Sequence, residues 1–170
     1  MTSIAKSRSQ KKRIVQDAIQ LLTSDHAEVA ALFKKYDKLT DANAQASDRQ
    51  AHAEQICTLL TVHATIEEEI FYPTARAAGI DASLMDEADV EHAAAKDLIA
   101  QIRAMSPEED HYDAKVKVLG EYIKHHVKEE EQPGGIFAQA KKGDEDLDAM
   151  GERLKARKEE LMAKMGGGKN

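Results

Sequence analysis

The 170-residue sequence contains no tryptophan, only three prolines and a single cysteine, Cys57. One cysteine cannot form a disulfide within the chain, so a reducing compartment is the simplest expectation, with Cys57 as a buried apolar residue. The sequence also lacks a long apolar run. We therefore predict neither a signal peptide nor a membrane span, and the cytoplasm is the default location.

Positive charge is scarce as well, because 24 lysines and arginines face 31 aspartates and glutamates, which leaves a formal net charge of −7. This balance argues against nucleic acid as the main partner. Residues 1–12 are the exception, since they are polar and basic, and we expect them to form a disordered arm. With 42% hydrophobic and 32% charged residues, the sequence is otherwise typical of one soluble, helix-rich domain.

The apolar residues that are present recur in steps of three and four, which is typical of amphipathic helices. Four such stripes run through residues 19–36, 56–70, 85–102 and 116–130. We predict an all-α fold, an up-down-up-down antiparallel four-helix bundle over residues 13–140. Residues 141–170 predict an additional C-terminal amphipathic helix and a flexible glycine-rich tail. That helix could pack on the bundle or form a dimer, and the sequence leaves both open.

Capping residues, prolines and glycines predict where the helices start and stop. The signals are Thr23-Ser24-Asp25, with a possible break just before His26; the Ser47–Gln50 capping box; Pro73 and Gly79 at the end of the second helix; Ser83; Ser106-Pro107-Glu108-Glu109 at the start of the fourth helix; and Pro133-Gly134-Gly135 at its end.

Each predicted helix carries one histidine on its apolar stripe, and two of the stripes add a glutamate four residues later. A single histidine in that position is more often a satisfied core residue than a metal ligand. Six such groups without partners, however, would cost about 2 kcal/mol or more each, which a domain of this size cannot sustain. The antiparallel topology also brings them toward the same end of the bundle. We therefore predict a buried metal centre formed by His26, His63, Glu67, His92, His126 and Glu130.

The fourth helix offers a choice of residues, because His125 and Glu129 have the same spacing as His126 and Glu130. Tracing the helix backward from His125 reaches Lys115, whereas the phase of His126 is apolar throughout. We therefore assign His126 and Glu130 to the centre and place the other two on its flank.

Three further polar residues are given simpler interpretations. His52 and His111 have no clustered partner and are expected to be exposed. Tyr122, one helical turn before His126, is expected in the core, with a role as a hydrogen-bond donor to the centre as the alternative.

Four histidines and two carboxylates are too many ligands for one zinc ion, which takes four. Carboxylates that can bridge, flanked by imidazoles, suit a pair of iron ions. Two six-coordinate ions would have about twelve positions in total. The six side chains and a shared oxo or hydroxo group would leave about two of them open. These could take dioxygen, nitric oxide, peroxide or water.

The ordered set of motifs resembles the hemerythrin-like, or HHE cation-binding, domain over about residues 17–140. The matching motifs are Asp25-His26, His63-xxx-Glu67 followed by Ile70-Phe71-Tyr72-Pro73, Glu91-His92, and His126-xxx-Glu130. The resemblance implies a non-haem di-iron centre in a four-helix bundle, with the six residues above as ligands. Two features depart from the family pattern: Lys96 replaces a second histidine of the oxygen-carrying members, and Gln132-Pro133-Gly134-Gly135 precedes Ile136-Phe137.

Three functions remain open from the sequence. The first is binding of dioxygen, nitric oxide or peroxide in a sensing, buffering or stress role. The second is a peroxide- or nitric-oxide-processing enzyme, with a catalase- or peroxidase-like activity left uncertain. The third is iron storage or signalling of iron availability. A protein partner or a second copy could dock on the C-terminal helix.

Overall fold

The computed structural model describes residues 15–166, which form an all-α structure without strands. The helices are α1 (Ala18–Asp41), α2 (Ala46–Ile66), a π-helical turn (Glu67–Phe71) that runs directly into α3 (Tyr72–Ala77), α4 (Ala82–Ala104), α5 (Tyr112–Glu131), α6 (Ile136–Lys142) and α7 (Leu147–Gly166). The predicted fold class is confirmed. The predicted arm at residues 1–12 and most of the glycine-rich tail lie outside the described residues.

The four long helices pack as an antiparallel bundle. Helix α1 contacts α2 and α5, and α4 contacts the same two helices from the opposite side. Helix α7 lies on the outside of the bundle against α1, α2 and the π-helical turn. Of the two arrangements considered for the C-terminal helix, packing on the bundle is therefore the one present, and dimer formation stays a prediction. No helix of residues 15–166 is long and apolar enough to cross a membrane.

Two apolar clusters fill the bundle, one on each side of a polar layer. The first joins the start of α1, the π-helical turn, α3 and the start of α4 to α6 and α7. The second joins the rest of α1 and α4 to the first parts of α2 and α5, and it contains the buried Cys57. On α1, the buried Asp25 and His26 fall between Leu22 of the first cluster and Val29 of the second. The polar layer therefore lies deeper than expected, inside the bundle rather than at its end.

Helix α1 starts where its apolar stripe begins, and the possible break just before His26 is absent. Asp17 caps the helix, since its side chain accepts a hydrogen bond from the backbone of Gln20 while the Gln20 side chain accepts one from the backbone of Asp17. The helix then runs without a break through Thr23-Ser24-Asp25. Asp25 is buried there, and its carboxylate is used in side-chain contacts instead of a cap.

The other capping predictions are also displaced. Helix α2 has Gln45 at its N-cap, without a side-chain hydrogen bond, and Asp81 rather than Ser83 caps α4. The carboxylate of Glu109 does accept a hydrogen bond from the backbone of Ser106, as a capping box requires. This capping box stabilises a turn and does not start the helix, because His111 adopts a left-handed φ of 72° and α5 begins after it.

The π-helical turn changes which residues face the interior. The backbone N–H of Tyr72 donates to the carbonyl of Glu67, five residues earlier. In a regular α-helix these two side chains would point about 140° apart, since each residue turns about 100°. The wider turn instead buries both, with 0% and 3% exposure, whereas Ile70, predicted on the buried stripe, is only half-buried. Single π turns of this kind occur frequently at functional sites.

Candidate metal centre

All six residues predicted for the centre lie together in the polar layer, and each is at most 7% exposed. Helix α1 supplies His26, α2 supplies His63, the π-helical turn supplies Glu67, α4 supplies His92, and α5 supplies His126 and Glu130. The antiparallel packing brings them together because each lies at the same height of the bundle.

The histidines form two facing pairs. In the α1/α2 half of the centre, the Nε2 atoms of His26 and His63 are 3.2 Å apart. In the α4/α5 half, the Nε2 atoms of His92 and His126 are 3.1 Å apart. In both halves the Nε2 atoms point toward the middle of the layer, which is the orientation that a shared metal ion requires.

The two glutamates each face both halves. The Oε1 atom of Glu67 lies 2.8 Å from Nε2 of His63 and 3.6 Å from Nε2 of His92. The Oε1 atom of Glu130 contacts Nε2 of His126 and lies 3.9 Å from Nε2 of His26. A carboxylate between two groups of imidazoles is placed to bridge two metal ions.

Burial and charge make this cluster fit a metal ion. Glu67 and Glu130 are completely buried, and none of their four carboxylate oxygens has a well-oriented hydrogen-bond partner among the described residues. Two buried carboxylates cost several kcal/mol unless positive charge compensates them, so a metal ion, or protonated histidines in its absence, is expected beside them. Two sets have ligand atoms close enough to hold an ion: Glu67, His92, His126 and Glu130 form one, and His26, His63 and Glu67 form the other.

A carboxylate lies near the outer nitrogen of every histidine. In the α1/α2 half, Nδ1 of His63 is 2.9 Å from Asp25 and Nδ1 of His26 is 2.9 Å from Glu131. In the α4/α5 half the distances are longer. There, Nδ1 of His126 is 3.5 Å from Glu91, and Nδ1 of His92 is 3.9 Å from Glu68. A carboxylate at the outer nitrogen favours a proton there and leaves Nε2 free for a metal ion.

Comparison with known proteins agrees with this geometry. The Hemerythrin HHE cation binding domain matches residues 17–133. The chain belongs to the hemerythrin HHE cation-binding family. The match ends in the turn after α5, so α6 and α7 lie beyond it. The family resemblance predicted from the sequence motifs is confirmed.

Two similar proteins show how far the likeness of this HHE protein extends. The crystal structure of a hemerythrin HHE cation-binding domain-containing protein from Mycobacterium kansasii has a TM-score of 0.69, with 24% identity and 89% of each chain covered, and supports the fold. A DNA nickase from Nostoc sp. strain PCC 7120 is 29% identical over 155 residues. The HHE chain spans only 41% of the nickase, although the match includes 90% of the HHE chain itself.

Each half of the HHE centre contains one histidine that stays charged in the metal-free protein. Burial works to lower the pKa of His63, but the carboxylates of Glu67 and Asp25 raise it to about 10. Burial likewise opposes the charge of His126, but Glu130 and Glu91 raise its pKa to about 11. A metal ion that takes these nitrogens must therefore displace protons.

The second histidine of each half stays neutral. Burial lowers the pKa of His92 to about 3, and the charge of His126 contributes to the shift. Burial also lowers the pKa of His26, with the charge of His63 as the next cause. Neutral imidazole is the form that binds a metal ion, so these two nitrogens are ready for one.

The tyrosine at the centre is Tyr72, not Tyr122. The hydroxyl oxygen of Tyr72 lies 3.1 Å from Nε2 of His92 and 3.3 Å from Nε2 of His126. Tyr122 is 49% exposed, so its assignment to the core is wrong, although it lines the cavity described below. Sequence periodicity missed Tyr72 because the π turn shifts its phase; its place in the Ile70-Phe71-Tyr72-Pro73 motif was the available signal.

A cavity of about 40 Å³ lies beside the histidines. Its apolar wall includes Val29, Leu60, Ile99 and Ile123. Lys96, which replaces a histidine of the oxygen-carrying members, also lines it, but its amino group pairs with Glu68 and its side chain is 52% exposed. A volume of this size holds only a few water-sized groups.

The remaining histidines lie away from the centre. His125 is exposed on the flank, 3.8 Å from Glu91 and 4.0 Å from Glu129, as expected. His111 is exposed, as expected. His52 is half-buried rather than exposed, and its Nε2 lies 3.0 Å from the carbonyl oxygen of Leu32.

Proposed function

We propose that this HHE protein is a non-haem di-iron protein that binds dioxygen, nitric oxide or peroxide. His26 and His63 would hold one ion, His92 and His126 the other, with Glu67 and Glu130 between them. The observation that carries the proposal is that each buried glutamate faces one histidine of each half. Iron bound there would supply the redox chemistry that protein side chains lack.

The size and lining of the cavity support a small ligand. A space of about 40 Å³ with a largely aliphatic wall is too small for a sugar, nucleotide or peptide. A ligand in this cavity would be oriented by the imidazoles on one side and by the aliphatic side chains on the other. A sensing, buffering or stress role in the cytoplasm follows as part of the proposal.

Metal analysis of the purified protein tests the proposal. Two iron ions per chain are expected, together with a visible absorption that changes on exposure to dioxygen, nitric oxide or peroxide. His126→Ala should lose iron, whereas His111→Ala, at an exposed histidine, should keep it. A single ion per chain, or zinc in preference to iron, would contradict the di-iron assignment.

One observation favours a second candidate, a peroxide-processing enzyme with catalase- or peroxidase-like activity. The Tyr72 hydroxyl is buried within 3.3 Å of two imidazole nitrogens, where it can donate a hydrogen bond to a molecule held at the α4/α5 half. Tyr72→Phe removes only this hydroxyl, and Tyr122→Phe is the matched control at the exposed tyrosine.

Peroxide consumption then separates the two candidates. An enzyme that uses the Tyr72 hydroxyl should lose about tenfold or more of its rate in Tyr72→Phe, with iron content unchanged. A reversible adduct with dioxygen or nitric oxide and no turnover of peroxide would favour the binding protein. Equal rates in wild type and Tyr72→Phe would remove the argument for a catalytic tyrosine.

A further inference from the structure

Helix α7 reaches the metal centre although it lies beyond the matched HHE domain. The Nζ atom of Lys158 contacts Oδ1 of Asp25. The other oxygen of the same carboxylate, Oδ2, accepts a hydrogen bond from Nδ1 of His63. The side chains of Lys158 and Asp25 are 26% and 7% exposed, so this chain of contacts runs inward from the edge of α7.

The contact has a specific consequence for His63. A buried carboxylate with one hydrogen bond can rotate or be left without compensation, whereas Asp25 is held at both oxygens. With its carboxylate fixed, Asp25 holds the His63 ring so that Nε2 faces Glu67, 2.8 Å away. Outer partners of this kind orient metal-binding histidines and typically change metal affinity by about 10–100-fold when removed.

This arrangement is particular to the α1/α2 half. Within residues 15–166, Glu91 and Glu131, which face His126 and His26, form no ion pair with a lysine or arginine. Glu68 does pair with Lys96, but that lysine belongs to α4 and is largely in solvent. Phe137 of α6 stacks on His26, but Lys158 is the residue through which α7 forms an ion pair with a carboxylate that contacts a candidate metal-binding histidine.

We propose that Lys158 is a positioning residue that, through Asp25, fixes the imidazole of His63 and thereby sets how tightly the α1/α2 half holds its metal ion. The inference rests on the proposed function, since it requires metal at this site. On this proposal α7 affects how the centre holds metal, in addition to covering the outside of the bundle.

Iron release from the 170-residue protein tests the proposal. Protein loaded anaerobically with ferrous iron is mixed with excess ferrous chelator, and release is followed by the colour of the complex. Lys158→Met should release one of its two ions about tenfold faster than wild type and the other at the wild-type rate. Lys155→Met is the matched control, because Lys155 is exposed on the same helix and lies 4.0 Å from Glu159. It should behave as wild type.

A second control separates positioning from docking of α7. Arg157 also holds α7 against the bundle, through an ion pair with Glu69 of the π-helical turn, and it forms no ion pair with Asp25. If Lys158 acts through Asp25, Arg157→Gln should release iron at the wild-type rate. Asp25→Asn should match Lys158→Met, and the double variant should add little to either change. Equal acceleration by Arg157→Gln and Lys158→Met would overturn the proposal, because loosened docking would then explain both.

The conservative change and the unfolding temperature complete the test. Lys158→Arg keeps the positive charge near Asp25 and should recover most of the slow release. The metal-free forms of Lys158→Met and Arg157→Gln should melt at similar temperatures, which excludes a general loss of stability. If wild type binds no metal, the proposed function fails. If wild type binds two ions and Lys158→Met releases both at the wild-type rates, only this inference fails.

Discussion

The two halves of the candidate metal centre repeat the same set of side chains but have different surroundings. The corresponding residues are His26 and His92, His63 and His126, Glu67 and Glu130, Asp25 and Glu91, and Glu68 and Glu131. Even the direction of the outer contacts is preserved, since the acid before the first histidine of each half faces the second histidine. The comparison shows an inner arrangement close to twofold symmetric.

The surroundings break this symmetry. In the α1/α2 half, Phe137 stacks on His26 at 5.6 Å between ring centroids and 5° between planes, and Lys158 anchors Asp25. In the α4/α5 half, the hydroxyl of Tyr72 faces both imidazoles. In the α1/α2 half an aromatic ring and an ion pair lie next to the histidines, whereas in the α4/α5 half a tyrosine hydroxyl group faces them. If the centre holds the two ions proposed above, we expect the first half to retain its ion more tightly and a small ligand to bind at the second.

The largest expected effect comes from Glu67, which serves both halves. Glu67→Gln removes the bridging charge but keeps the shape of the side chain. We expect a loss of affinity of more than about 100-fold for both ions, because a buried site loses one of its two anionic groups. Titration with ferrous iron measures it. Glu129→Gln, at a half-buried neighbour of Glu130, should bind normally; retention of one tight ion in Glu67→Gln would argue against bridging.

The next prediction concerns the pH dependence of stability, to which each half contributes one charged histidine. The pKa values of about 10 for His63 and about 11 for His126 in the metal-free protein exceed the unfolded value of 6.5. Stabilisation from these charged forms is complete below pH 6.5 and is lost as the pH rises toward 10 and 11. In urea unfolding of the metal-free protein, the free energy of unfolding should decrease by an amount on the order of several kcal/mol over this pH range, since each pKa unit corresponds to about 1.4 kcal/mol.

Substitution and metal both sharpen this experiment. His63→Gln and His126→Gln should each remove part of the pH dependence, because each half contributes one charged histidine. Bound metal should reverse its sign, since metal displaces those protons and binds more tightly as the pH rises. A stability that does not change between pH 6.5 and pH 10 without metal would show that neither histidine is charged there.

The sequence predicted the inner symmetric part of the centre and missed the asymmetric part, for physical reasons. His26, His63, His92 and His126 share the phase of apolar stripes, and that phase survives in straight α-helices packed side by side. Periodicity did not predict Tyr72 at the centre, because the π turn that places it in the interior has no recognisable sequence period. The contact of Lys158 was not predicted, because its partner Asp25 is 133 residues away in the sequence. Periodicity shows which face of a helix is buried but not how far two packed helices are shifted along their axes.

The misplaced helix starts have a similar origin. A capping motif is a local preference of about 1 kcal/mol, which packing can override. Asp25 looks like a cap by residue type, but it lies about two turns inside a helix that is already capped by Asp17. Its burial next to His63 is decided by the α1–α2 contact, which the local sequence does not encode.

A smaller effect is expected at Gly151, which fits α7 closely against the start of α1. A Cβ atom there would lie 2.4 Å from the carbonyl oxygen of Gln16 and 2.8 Å from the carbonyl carbon of Asp17. Alanine normally favours a helix over glycine by about 1 kcal/mol, but these neighbours are backbone atoms, so the overlap should prevail. We expect Gly151→Ala to destabilise by about 1–3 kcal/mol.

Iron release links Gly151 to the comparison between the halves. A displaced α7 moves Lys158 away from Asp25, so Gly151→Ala should speed loss of iron from the α1/α2 half and leave the α4/α5 half unchanged in the chelator assay. Gly166→Ala, where nothing lies within 4 Å of the added Cβ, should change neither stability nor release. Equal acceleration of both ions would mean that α7 supports the whole bundle rather than one half.

The smallest effect is expected at Lys96, which pairs with an outer carboxylate, Glu68, in the α4/α5 half. Like Lys158, it pairs with a carboxylate behind a metal-site histidine, but Lys96 is 52% exposed and its partner Glu68 is 32% exposed. Glu68 also lies 3.9 Å from Nδ1 of His92, beyond hydrogen-bond distance. An exposed pair contributes less than about 1 kcal/mol, so Lys96→Met should change iron release by no more than about fivefold, and only at the α4/α5 half. A tenfold change would show that solvent exposure does not separate the two lysines, and the contrast between the halves would then rest on Tyr72 and Phe137 alone.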